Sequence, residues 1–85
     1  MSRENDIRKE VLMQTYALRP LHVTAERIQR DAKKAGYDFT VAEVQREVSF
    51  LVDEGFLVAV DARGTTDKTV RIHADGIRHY EQTYA

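Results

Sequence analysis

The chain has 85 residues, of which 42% are hydrophobic and 32% are charged, and its formal net charge is −1 at pH 7. A chain of this length buries roughly 60 to 65% of its unfolded surface and supports one hydrophobic core, which predicts a single domain over residues 1–85. The surplus of lysine and arginine with which most DNA-binding domains neutralise phosphates is missing overall. Because the chain has no cysteine, disulfides, thiolate metal sites and thiol nucleophiles are excluded.

The apolar runs of the chain are short. The longest, residues 48–52 and 56–60, fall far below the length that spans a bilayer. The first residues, which include Arg3, Glu4 and Asp6, lack the apolar stretch of a secretory signal. These patterns predict a cytoplasmic protein without a membrane-spanning segment.

Three helices are predicted in the first part of the chain. Residues 5–18 carry apolar side chains at helical spacing until Pro20 interrupts the pattern. Residues 24–36 and 40–55 each begin at a threonine that can cap a helix and end at a glycine, and Glu43 completes a capping box in the third helix. The apolar side chains expected on the inner faces are Ile7, Val11, Leu12, Tyr16, Ala25, Ile28, Ala32, Ala35, Val41, Val44, Val48, Leu51 and Val52.

A hairpin and a short helix are predicted to follow. Residues 56–60 and 70–72 are rich in β-branched residues and are expected to pair, with Gly64 near the tip of the connection. Residues 75–84 carry apolar side chains three and four apart, as in an amphipathic helix. The predicted class is therefore mainly α with a small β-hairpin (α+β), in the order helix, helix, helix, strand, strand, helix.

Two stretches carry a family resemblance. Residues 47–57 (EVSFLVDEGFL) resemble the end of the recognition helix and the first wing strand of winged helix-turn-helix proteins, and residues 70–80 (VRIHADGIRHY) are similar to the second wing strand and the closing helix of that superfamily. The resemblance implies a DNA-binding domain of a small transcriptional regulator, similar in size to winged-helix proteins of phages and prophages. Many relatives cap the last helix with a threonine, a task that His73 or Asp75 is expected to perform here.

The resemblance implies a site. In winged helices the third helix enters the major groove and the wing contacts the DNA backbone. Gln45, Arg46 and Ser49 lie on or beside the face opposite the apolar stripe and are predicted to contact base edges, with Arg46 suited to a bidentate contact with guanine. The residues expected to hold phosphates are Arg27, Arg30, Thr40, Arg63 and Lys68. The alternative for the residues of the third helix is that they are solvated surface side chains.

The partner of the predicted domain is double-stranded DNA, bound by a homodimer because one small module buries too little surface for tight specific binding. The charge of the third helix opposes this interpretation. Residues 40–54 hold one arginine against four carboxylates, a balance of −3, whereas the second helix carries +2 and the wing +1. The runner-up hypothesis is therefore a winged-helix module that binds another protein through the acidic third helix and Phe50. We expect a wing strand to cover Phe50, and a partner surface is the alternative.

The sequence contains no pattern typical of an active site. The two serines, Ser2 and Ser49, lie outside a nucleophile-elbow pattern, and no glycine-rich phosphate loop is present. His73, Asp75 and His79 are close in sequence, but a closed metal site takes four ligands and no fourth is evident nearby. We therefore expect neither an enzyme nor a metal or cofactor site.

Overall fold

A computed structural model describes residues 2–61 and 68–85. These residues form a mainly helical α+β fold with a small antiparallel sheet, which confirms the predicted class. None of the helices within the described ranges is long and apolar enough to cross a membrane. The elements in chain order are α1 (Arg3–Ala17), β1 (Val23–Thr24), α2 (Ala25–Lys34), α3 (Val41–Asp53), β2 (Leu57–Asp61), β3 (Lys68–Ile72) and α4 (Ala74–Thr83).

Side chains cap the N-terminus of each helix, as local chemistry predicts. Thr24 caps α2, and its hydroxyl accepts a hydrogen bond from the Arg27 backbone at 3.1 Å. The structure differs at α1, which starts two residues before the predicted position because the Ser2 hydroxyl caps it, accepting from the Asn5 backbone at 3.1 Å. At α4 the predicted capping by His73 is confirmed, since its Nδ1 accepts from the Asp75 backbone at 3.2 Å.

The predicted pairing of two strands is present, and the sheet has a third strand, β1, that was not predicted. The strand β3 is central and pairs antiparallel with both neighbours. Its partners include Leu57 of β2, opposite Ile72, and Val23 of β1, opposite Val70. A strand of two residues is too short to show an alternating pattern, so β1 gives no sequence signal. We call β2 and β3 together the hairpin.

The core lies where α1, α2 and α3 meet the sheet. Most of the predicted apolar positions are buried, although Ala35 is exposed. Phe39, in the connection between α2 and α3, is only 5% exposed and joins the core without belonging to a periodic pattern. Tyr16 packs against the core, as predicted, and its ring stacks on that of Tyr80 with centroids 4.6 Å apart. The buried apolar side chains are Ile7, Val11, Leu12, Val23, Ile28, Ala32, Phe39, Val44, Leu51, Leu57, Val70 and Ile72.

Two glycines follow the helices α2 and α3 in the left-handed conformation, Gly36 with φ 101° and Gly55 with φ 83°. Their role as helix terminators is therefore confirmed. Gly76 serves a different purpose in the first turn of α4. A Cβ atom at this position would overlap the carbonyl oxygen of Phe56 and lie 2.9 Å from Cγ1 of Ile72. The absence of a side chain thus lets α4 lie directly on the backbone that leads into β2.

Candidate nucleic-acid interface

The outward face of α3 carries the side chains predicted to contact bases. Val44 and Leu51 on the inner face are 0% and 2% exposed and fasten the helix to the core. Gln45, Arg46 and Ser49 are exposed on the other side. Because buried residues recur at helical spacing along one face, the opposite face remains in solvent over the length of the helix.

A cleft of about 510 Å³ lies between α3, the start of α2 and the hairpin. Gln45 and Ser49 line it from α3, and Lys68 lines it from the first position of β3. Its apolar lining comes from Ala25, Val48, Val52, Ala59 and Val70, and two carboxylates, of Glu26 and Asp53, complete it. The structure therefore brings three of the predicted site residues together, with Arg46 on the exposed face of the same helix.

The predicted phosphate contacts occupy several elements. Arg27 and Arg30 are exposed on α2, and the guanidinium of Arg27 lies 3.8 Å from Asp31, four residues later in the helix. Such an exposed pair contributes only about 0.3 to 0.5 kcal/mol, so Arg27 can exchange Asp31 for a phosphate at little cost. Thr40 is exposed at the start of α3, and its hydroxyl accepts from the Glu43 backbone at 3.1 Å. Arg63 lies outside the described residues.

The first of the acidic residues of α3, Glu43, is neutralised by α1. Arg3 donates from Nε to Glu43 Oε2 at 2.5 Å and from a terminal amino group to Oε1 at 3.0 Å, a bidentate contact. The same guanidinium reaches Asp38 at 3.1 Å. The carboxylate of Glu43 also accepts from the backbone of Thr40 at 3.0 Å, which closes the predicted capping box.

The second acidic residue, Glu47, is buried, with its side chain only 3% exposed. Arg8 of α1 donates from Nε to Glu47 Oε1 at 2.7 Å. The balance of −3 therefore overstates the negative charge on the outward face of α3, because two of its four carboxylates are paired with arginines of α1. The sequence contains one sign of this burial, since Glu47 lies three residues after Val44 and four before Leu51, on the buried stripe.

The paired Glu43 carboxylate makes stability depend on pH. The hydrogen bond from Arg3 and the backbone hydrogen bond from Thr40 lower its pKa from 4.5 to about 2. Because the pKa is lower in the folded state, this stabilisation is present above pH 4.5 and is lost as the pH falls from 4.5 towards 2. We expect Glu43→Gln to lose less stability than the wild type over this interval, as measured by urea unfolding at a series of pH values.

The control for this measurement is Glu54→Gln, which removes an exposed carboxylate that makes no ion pair within the described part of the chain. It should keep the wild-type pH dependence. Identical curves for Glu43→Gln and the wild type would show that the contacts of Glu43 do not favour its ionised form in solution.

The prediction that a wing strand covers Phe50 is wrong. The guanidinium carbon of Arg8 lies 3.9 Å from the centre of the Phe50 ring, so the contact comes from α1. The ring remains 38% exposed and borders a groove of about 420 Å³ between α1, α3 and α4. The other apolar and aromatic residues of this groove are Leu12, Leu51, Phe56, His79 and Tyr84.

The histidines considered as metal ligands have other contacts. His79 stacks on Phe56 with centroids 4.4 Å apart, while His73 caps α4. In residues 2–61 and 68–85 no group of three or more histidine or carboxylate side chains is arranged to hold a metal ion.

Comparisons of the chain with protein-family models, curated proteins and solved structures find no match. The side chains and their geometry are therefore the basis on which a function can be inferred. Gln45, Ser49 and Lys68 share one cleft, and Arg46 projects from the same face of α3. Sequence reasoning did not find the part played by Arg8, because its contact with Glu47 joins residues 39 positions apart.

Proposed function

We propose that the chain is a winged-helix DNA-binding protein that acts as a small transcriptional regulator. In this proposal α3 enters the major groove and the hairpin is the wing. The observation that carries the proposal is the shared cleft, in which Gln45 and Ser49 of α3 face Lys68 of the hairpin. A base-contacting helix beside a basic strand places hydrogen-bonding side chains and a phosphate-binding charge on the same side of the molecule.

The chemistry of the outward face of α3 suits base edges. The amide of Gln45 can donate to N7 and accept from N6 of adenine, and the guanidinium of Arg46 can donate two parallel hydrogen bonds to guanine. The hydroxyl of Ser49 can donate or accept. Asp53 lies at the C-terminal end of α3, whereas winged helices concentrate base contacts in the N-terminal part of the helix. Asp53 nevertheless lines the same cleft as Ser49 and Lys68.

The ion pairs of α1 with α3 support the same proposal. They pair the carboxylates of Glu43 and Glu47 with arginines of α1, while Arg46 is exposed on that face. Arg27 and Arg30 of α2 and Lys68 of the wing would then hold phosphates beside α3. Such contacts supply the part of affinity that depends on salt and not on sequence.

Fluorescence anisotropy with a mixed-sequence DNA duplex, repeated across a salt series, tests the proposal. The affinity should fall with a slope of several units in a plot of log affinity against log salt, at about 0.9 for each phosphate contact. Arg30→Gln and Lys68→Gln should each lower the slope by about 0.9. The matched control is Lys9→Gln on α1, whose ammonium lies 5.7 Å from the centre of the Tyr84 ring and which should leave the slope unchanged. Absence of binding at low salt would refute the proposal.

We further propose that two copies act together on DNA. A single winged-helix module contacts roughly 600 to 1,000 Å², which is small for tight specific binding. Sedimentation velocity of the protein with a duplex that carries a selected site should show two chains for each duplex. One chain for each duplex at saturation would contradict this part of the proposal.

The second candidate function is binding of a protein partner, and the exposed Phe50 favours it. The ring is 38% exposed beside the groove that it borders with Leu12 and Leu51. An aromatic side chain at the edge of an apolar groove is typical of residues that dominate protein interfaces. This candidate predicts no salt-dependent binding in the DNA titration, so the same experiment separates the two functions.

A further inference from the structure

We propose that Glu47 is a positioning residue, which holds the guanidinium of Arg46 in the orientation that recognises a guanine base. The inference rests on the proposed DNA-binding function and adds to it the base and the residue that prepares its recognition. The starting observation is that Glu47, with its side chain 3% exposed, is a buried carboxylate on a helix whose other face is in solvent. Burying a carboxylate is costly unless charged partners surround it.

The two oxygens of Glu47 face different arginines. Oε1 accepts the hydrogen bond from Arg8 at 2.7 Å, and Oε2 lies 3.5 Å from Nε of Arg46, within ion-pair distance. Arg8 is itself held in place, because its guanidinium lies 3.9 Å from the ring centre of Phe50. The carboxylate is therefore anchored from α1 and presents its second oxygen to Arg46.

This contact uses the one nitrogen of Arg46 that bidentate recognition through the terminal amino groups does not need. The side chain of Arg46 is 67% exposed, and its Nε, 3.5 Å from Oε2 of Glu47, is the nitrogen in the ion pair, so its two terminal amino groups remain for a ligand. Guanine presents O6 and N7 side by side in the major groove, which matches two parallel N–H donors. An arginine that is already oriented loses less conformational entropy when it binds. The geometry therefore favours guanine over the other bases opposite Arg46.

The variant Glu47→Gln separates the two contacts of the carboxylate. The carbonyl oxygen of the glutamine can still accept the hydrogen bond from Arg8, which directs the amide nitrogen towards Arg46. Two donors then face each other, and Arg46 is released while Arg8 keeps a buried partner. The charge of Arg46 is unchanged, so its attraction to DNA as a whole should remain.

The DNA experiment begins with selection of a preferred site from a randomised duplex pool by the wild-type protein. Each G·C pair of the selected site is then replaced by A·T and the affinity is measured. One position should show a loss of about 10- to 100-fold for the wild type. This loss should fall several-fold both for Arg46→Lys, whose ammonium lacks the planar pair of donors, and for Glu47→Gln, with the salt dependence of Glu47→Gln unchanged. The control Lys9→Gln, on α1 and outside the proposed DNA interface, should keep the full discrimination.

A second measurement needs no DNA. Hydrogen exchange of the Arg46 Nε proton, followed by NMR in the free protein, should be slower than that of Arg30, for which the described residues provide no ion pair. The difference should vanish in Glu47→Gln. If Glu47→Gln fails to fold, the positioning role is still tested by the comparison of Arg46 with Arg30 in the wild type. The contact of Arg46 with guanine is still tested by Arg46→Lys, a change at an exposed position.

The outcomes separate the inference from the function on which it rests. Failure to bind DNA at any salt concentration overturns both. Binding of DNA with undiminished guanine discrimination in folded Glu47→Gln overturns the positioning role alone. Equal exchange rates at Arg46 and Arg30 in the wild type also overturn the positioning role, whatever the protein binds.

Discussion

Replacing Gly76 with alanine should lower the free energy of unfolding by about 2 to 4 kcal/mol. The added methyl group would overlap the carbonyl oxygen of Phe56, which is a backbone atom that accepts the hydrogen bond of the His73 amide at 2.9 Å. It would also press on the side chain of Ile72, 4% exposed in the core. Because the first of these atoms belongs to the backbone, α4 or the Phe56 peptide would have to shift. Urea unfolding followed by circular dichroism measures the loss.

The matched controls are alanine at Gly36 and at Gly55, where an added Cβ atom meets nothing within 4 Å. These two substitutions are unfavourable only because of the positive φ, at a cost of about 1 to 2 kcal/mol. Gly76→Ala should therefore be the least stable of the three variants, and its additional loss of stability measures steric crowding and not backbone conformation. A Gly76→Ala protein as stable as the wild type would show that α4 does not rest on the Phe56 carbonyl in solution.

Removal of Arg8 should have an effect of similar size. Arg8→Ala leaves Glu47 buried without its hydrogen-bonded partner, and loss of one member of a buried pair costs about 3 to 5 kcal/mol. Arg46, at 3.5 Å, remains near the carboxylate and reduces the penalty, so we expect a loss of about 2 to 4 kcal/mol, including the contact with the Phe50 ring. Thermal and urea unfolding at pH 7 provide the measurement.

The control Arg3→Ala removes the other arginine that joins α1 to α3. Its partner Glu43 is in contact with solvent, so the loss of stability should be clearly smaller than for Arg8→Ala. A double variant, Arg8→Met with Glu47→Leu, should recover most of the stability lost in Arg8→Ala, because it leaves no unpaired buried charge. Equal destabilisation by Arg3→Ala and Arg8→Ala would contradict the different burial of the two pairs.

Helix boundaries follow from the sequence where their chemistry is local. The capping box of Thr40 and Glu43 joins residues three apart, and Gly36 and Gly55 end helices through their own backbone conformation. These features were predicted because neighbouring residues decide them. By contrast, β1 pairs Val23 with Val70, and a strand of two residues shows no period from which pairing can be predicted.

In the candidate site, too, the features that depend on local sequence were predictable. The exposed face of α3, with Gln45 and Ser49, follows from helical spacing alone, and the structure adds the approach of Lys68 across the cleft. The pairing of the acidic residues was not predictable, since a count of charges along α3 contains no information about Arg3 and Arg8 on another helix. The formal charge counted along α3 alone therefore differs from the charge that its surface presents to a binding partner.

The short strand β1 fixes the position of the hairpin relative to the start of α2. Thr24 pairs with Thr69 of β3, and the same residue caps α2, so a single residue joins the hairpin to the start of that helix. In the proposed complex, phosphates contacted by α2 and by the hairpin are therefore separated by a span that the protein sets in advance. The affinity would then depend on the width of the DNA groove as well as on its base edges. A groove that is too narrow or too wide would allow the phosphate contacts of α2 or those of the hairpin, but not both.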